Sequence, residues 1–171
     1  MMRYLYFLML VSSLLACQEA RTQGPAYDVM LRSLLKRDVP MATVPEIAGQ
    51  PGLVWLDARS LPEYEVSHLP GARHIGYESF DSAGVAALPR ETPIIVYCSV
   101  GYRSENITRR MQAMGFTQVR NLYGGLFEWV NQGHPVVDRQ GNPTDAVHGY
   151  NSTWGIWVKK GKKVYTPEPV E

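Results

Sequence analysis

The sequence predicts an α/β protein, with a central parallel sheet, helices on both faces, and a C-terminal extension that reads as a β-hairpin. Three observations carry this. Ile94-Ile95-Val96-Tyr97 is a continuous apolar run, as expected of a strand buried on both faces. A short loop containing Gly and Arg follows, and then ENITRRMQAMG, in which Ile107, Met111 and Met114 share one helical face and Gly115 sits at a C′ position. Strand-like and helix-like segments alternate through the middle of the chain, the pattern of right-handed crossovers on a parallel sheet.

The elements follow in order. After the Gly24-Pro25 break, residues 27–36 read as the amphipathic, partly helical end of a tether. Residues 44–48 suit a small helix, and Pro51-Gly52 a turn ahead of a strand at 53–57. Residues 61–66 read as helix, His74-Ile75 as a short strand, and 80–88 as a weak helical segment before Pro89. Strand 94–97, helix 104–114, strand 119–122 and helix 126–131 complete the core. Beyond Pro135, Thr153-Trp154-Gly155-Ile156-Trp157-Val158, a turn of Lys159, Lys160, Lys162 and Lys163, and Val164-Tyr165-Thr166 read as an edge ribbon. Its Trp side chains are expected to pack on the domain, and its lysines suit anionic head groups.

A chain of 171 residues, 45% hydrophobic and 19% charged, suits one globular domain with extensions. A formal net charge of +1 lacks the basic excess of a nucleic-acid binder. The start, Met1-Met2-Arg3, is basic, and residues 4–16 are nearly all apolar. That run is shorter than the roughly 20 residues that cross a bilayer, but suits a signal-peptide core. It ends in Leu14-Leu15-Ala16-Cys17, which resembles a bacterial lipobox. The expected organisation is a lipoprotein signal peptide at 1–16, a tether at 17–39, the folded domain at 40–137 and the extension at 138–171. Lipid on Cys17 would anchor the exported protein in the bacterial cell envelope, on a periplasmic or outer-membrane face. Cys98 would then be the only thiol left, in a compartment that favours disulfides, which points to a reactive role.

Cys98 falls where the central strand ends and a helix begins, at the carboxyl edge where parallel sheets bind ligands. The helix N-terminus and inward-pointing loop amides favour an anion there, including a thiolate. Gly101 lets the loop turn its amides inward, and Arg103 offers a fork of donors for an oxyanion. Ser99, Val100, Tyr102 and Ser104 form the rest of the loop wall, with Ser104 also suited to be the helix N-cap. Asp57, Arg59 and Glu63 are expected to form a buried hydrogen-bonded set beside the loop, costly to break. His68, His74, His134 and His148 have no metal-ligand spacing.

These residues also carry a resemblance. Cys98-Ser99-Val100-Gly101-Tyr102-Arg103 is similar to the active-site loop of the rhodanese family of sulfurtransferases. The Asp57-Ala58-Arg59, Glu63-Tyr64 and His68-Leu69-Pro70-Gly71-Ala72 pieces resemble that family's second signature. Asn121-Leu122-Tyr123-Gly124-Gly125 resembles its closing strand and turn. The resemblance implies a three-layer rhodanese-like fold and a Cys98 persulfide, loaded from thiosulfate or a similar small anionic donor. The acceptor is expected to be cyanide, a small thiol or a protein thiol. It implies substrate contacts from residues 99–104, support from Asp57, Arg59, Glu63 and His68, and neither metal nor organic cofactor. Dual-specificity phosphatases of the Cdc25 type share the fold, but their loop is one residue longer between cysteine and arginine. The alternative expectation is a partner-dependent sulfur relay or a non-catalytic binding module in the envelope.

Overall fold

The structure, a computed structural model, describes Thr22 and residues 24–165. The expected signal peptide and Cys17 lie outside the described residues. Five parallel strands form the central sheet in the order β1 (Met41–Ala42), β5 (Val119–Leu122), β4 (Ile94–Tyr97), β2 (Val54–Asp57) and β3 (Arg73–His74). Every side chain of central β4 is buried, and successive residues serve opposite faces. Ile95 and Tyr97 join Leu69, Leu122 and Phe127 in one core, while Ile94 and Val96 join Leu56, Ile107 and Met111 in the other. With both faces covered, no position in this strand is left for a polar residue.

The crossover helices lie close to where the sequence predicts them. They are α2 (Val44–Ile47), α3 (Leu61–Val66), α4 (Ser82–Ala86) and α5 (Tyr102–Ala113), and α6 (Gly125–Asn131) follows the last strand of the sheet. Helix α5 starts at Tyr102, before Ser104, because Gly101 takes φ 108° and becomes the N-cap. Ser104 is therefore inside the first turn, buried, and not a cap. Strand β1 was not expected; two residues carry too little periodicity to show in a sequence.

Both extensions differ from their sequence reading. From Pro25 onward the expected tether is a packed part of the domain. Helix α1 (Pro25–Leu34) buries Tyr27 and Leu31, and Leu35 follows on the same stripe. The Tyr27 hydroxyl donates to the Gly124 carbonyl at 2.8 Å, and the Glu105 carboxylate accepts from the Arg37 amide at 2.6 Å. An apolar stripe at helical spacing with core to cover does not stay in solvent.

The C-terminal ribbon is the second correction. Over its described residues, 153–165, it does not form a hairpin: Asn151 accepts from the Trp154 amide at 3.0 Å and starts a one-turn helix, α7 (Ser152–Gly155). The chain then returns as β9 (Lys162–Val164), parallel to β8 (Ala146–His148). Trp154 and Trp157 are three residues apart, so a helical turn puts both on the core, where strand geometry would split them. The Asn131 side chain fixes the return, donating to the Trp157 carbonyl and accepting from the Lys159 amide. A small antiparallel pair does occur earlier, between β6 (Val136–Val137) and β7 (Pro143–Thr144). The two extensions meet over the sheet, with Tyr27 stacked on Trp157 at 5.3 Å.

Candidate active site

Cys98 directly follows β4, and the next residues arch over the carboxyl edge of the sheet. The Cys98 side chain is a free thiol, 1% exposed. The Gly101 amide points inward and donates to Sγ at 3.2 Å. Two features favour glycine at this position. Its φ is left-handed, and a Cβ there would lie 3.2 Å from the Leu122 carbonyl oxygen. Asn121, fully buried on β5, donates to the Gly101 carbonyl at 3.0 Å and so ties the loop to the neighbouring strand.

The same loop is gripped from below by α6. Leu126 and Phe127 donate their amides to the carbonyls of Cys98 and Ser99 at 2.8 and 3.0 Å. That approach leaves no room for a side chain at Gly125, whose Cβ would lie 2.4 Å from the Cys98 carbonyl oxygen. The Gly124-Gly125 turn is thus part of the site's architecture.

Of the four supporting residues, Asp57 and Arg59 pair with each other, Glu63 pairs with Arg103 of the loop, and His68 packs. Asp57 and Arg59 pair bidentately with both side chains fully buried, and Arg59 also donates to the Ser67 carbonyl at 2.7 Å. Burial alone would lower the Arg59 pKa; the charge and hydrogen bonds of Asp57 outweigh it and raise it. Glu63 does not bond this pair. Its carboxylate receives both terminal nitrogens of Arg103 at 2.7 and 2.8 Å, the Ser99 hydroxyl at 2.9 Å, and the Ser60 amide at 3.0 Å. Burial pushes the Glu63 carboxyl up, yet the Arg103 bonds and charge hold it at about 2. Arg103 is opposed by burial in turn, and is raised by Glu63 and the charge of Cys98. His68 stacks on Tyr64 at 3.8 Å and pairs its backbone with Val137, so it packs rather than reacts.

This geometry revises the expected part of Arg103. Its terminal nitrogens already face a carboxylate, and the side chain is 18% exposed. It braces the loop by tying α5 to the first turn of α3. Above the loop opens a cleft of about 770 Å³, with Cys98 at its bottom and Ser99, Val100, Tyr102 and Arg103 along it. Among the described residues, no group of His, Cys, Asp and Glu could hold a metal ion.

The family model of the rhodanese-like domain matches residues 42–132. The chain belongs to the rhodanese-like domain family. It is 31% identical over 84 residues to the probable adenylyltransferase/sulfurtransferase MoeZ of Mycobacterium tuberculosis, covering 48% of this chain and 21% of that protein. It is 29% identical over 97 residues to the thiosulfate sulfurtransferase GlpE of Coxiella burnetii, covering 57% of this chain and 89% of that protein. The crystal structure of a thiosulfate sulfurtransferase from Pseudomonas aeruginosa shares the fold, with TM-score 0.55, 22% identity, and coverage of 69% of this chain and 24% of that one. The chain therefore spans only about a fifth of the length of MoeZ.

Within the rhodanese-like domain, sequence reasoning located the loop and its supports but missed their partners. Asn121 and Gly125 stood in the closing signature without a role. Ser60-Leu61-Pro62-Glu63 carries a capping-box pattern that marks Glu63 as a helix-start carboxylate. Outside the matched region, Leu34, Tyr150 and Trp154 line the cleft, and no motif announces them.

Proposed function

We propose that the protein is a sulfurtransferase that carries sulfane sulfur on Cys98. The Cys98 thiolate attacks the outer sulfur of thiosulfate; the S–S bond breaks, its electron pair leaves with sulfite, and a Cys98 persulfide remains. Cyanide or a thiol then takes the outer sulfur and returns the thiolate. The observation that carries this reading is a thiol at the bottom of a cleft, inside a loop braced from both ends, with the Gly101 amide on Sγ at 3.2 Å. A developing negative charge on sulfur is stabilised by such a preorganised donor without reorganisation. The named activity of GlpE supports thiosulfate as donor. The chemistry needs no metal or organic cofactor, because the cysteine itself carries the transferred atom.

The test is steady-state kinetics with thiosulfate and cyanide, following thiocyanate. Parallel double-reciprocal lines are expected of a two-step covalent exchange; intersecting lines would exclude the persulfide as an obligatory intermediate. No turnover despite an intact, reduced thiol would favour the second reading, a relay that accepts sulfur only from a dedicated partner. That reading draws on MoeZ, whose name joins adenylyltransferase and sulfurtransferase in one chain.

The location belongs to the proposal too. Export and lipid attachment at Cys17 would hold the domain at the envelope surface by residues 17–24. Cys17→Ser should release the protein from the detergent phase in phase partitioning; retention there would refute the anchor.

A further inference from the structure

The cleft is larger than its proposed small substrates need. At about 770 Å³ it falls within the roughly 300–1,000 Å³ of sites that bind drug-sized organic molecules. Thiosulfate and cyanide would occupy a small part of it. Much of the lining above Cys98 is apolar or aromatic: Leu34 from α1, Leu61 from α3, Tyr77, Tyr102, and Tyr150 and Trp154 from the extension. The positive charge best placed to greet an anion, Arg103, is already bound by Glu63.

The extension residues are held in place at some conformational cost. Tyr150 takes a left-handed φ of 62°, uncommon for a bulky residue, and its amide donates to His148 Nδ1 at 3.1 Å. This sets its ring 5.2 Å from the Arg103 guanidinium, 43% exposed at the rim. Trp154 is positioned by the Asn151 cap. Leu34, Tyr150 and Trp154 all lie outside residues 42–132, so this part of the wall belongs to the chain rather than to the family pattern. Cys98 is 1% exposed and lines this cleft, so an acceptor reaches it through the space these residues border.

We infer that Tyr150, Trp154 and Leu34 form an acceptor subsite that selects a low-molecular-weight organic thiol with an apolar body. This rests on the sulfurtransferase reading above. The acceptor thiolate attacks the outer sulfur of the Cys98 persulfide; the new S–S bond forms as the Sγ–S bond breaks. The electron pair returns to Sγ, and the acceptor leaves as its persulfide, with no change in overall oxidation state. The wall holds the acceptor's body while its sulfur reaches the bottom of the cleft.

The experiment loads the full chain with thiosulfate and follows loss of the persulfide by mass, with benzyl mercaptan or 2-mercaptoethanol as acceptor. Benzyl mercaptan is expected to react at least about tenfold faster, the gain from burying much of a phenyl group. Trp154→Ala, Tyr150→Gly (which suits the left-handed backbone) and Leu34→Ala should each reduce that ratio several-fold. A ratio near one, or a ratio untouched by all three variants, overturns the subsite. Absence of any persulfide would instead count against the sulfurtransferase reading. The subsite is then decided by saturation-transfer NMR of benzyl mercaptan on Cys98→Ser, where binding weakened by Trp154→Ala supports it and no binding overturns it.

Discussion

The Asp57–Arg59 pair and the Glu63–Arg103 pair have the same chemistry and different surroundings. In the first, both side chains are sealed from solvent and the second arginine contact is a backbone carbonyl. In the second, the carboxylate is sealed, the arginine is 18% exposed, and the shared partner is Ser99 of the reactive loop. The first pair fixes how the end of β2 meets the chain near Ser67. The second joins the start of α3 to the loop that presents Cys98. A buried ion pair is not evidence of catalysis by itself; what it holds decides what it does.

Breaking the sealed pair should cost most. Asp57→Ala strands a fully buried guanidinium and should lower unfolding free energy by about 3–5 kcal/mol in urea titration. A cost under about 1 kcal/mol would show that Arg59 finds solvent. Gly125→Ala comes next, at about 2–4 kcal/mol, since its Cβ would meet the Cys98 carbonyl and its φ is left-handed. If the loop merely shifts instead, stability will hold while the rate of persulfide formation falls.

Arg103→Met should cost less, about 1–3 kcal/mol, because water reaches the site. Its larger effect should be kinetic, on kcat with thiosulfate, as the loop loses its brace. A change confined to KM would instead restore direct anion binding as the role of this arginine. The same ion pair also sets a pH dependence. Glu63 is held at about 2 against its ordinary 4.5, so the stability it contributes is complete above about 4.5 and is lost as pH falls toward 2. Glu63→Gln should flatten the fall of Tm over that window; an unchanged slope would assign the acid sensitivity elsewhere.

Local signals made the centre of the fold legible. β4 is an uninterrupted apolar run because both its faces are covered, and the thiol after it stands at the edge where such sheets bind ligands. The division between the two ion pairs was not legible, since Glu63 and Ser99 lie 36 residues apart in sequence and meet only through the crossover. The extension misled for a different reason. Trp-Gly-Ile-Trp-Val alternates like a strand, and only the Asn151 cap and the Asn131 clamp turn it into a helical corner. The Leu34, Tyr150 and Trp154 wall depends on that long-range packing, so no short motif could reveal it.

The most direct test of the central claim is the intact mass of the reduced protein after incubation with thiosulfate. The account predicts a gain of one sulfur atom, removed by cyanide with release of thiocyanate, and absent in Cys98→Ser. An unchanged mass with Cys98 free and the fold intact, or the same gain in Cys98→Ser, would contradict it.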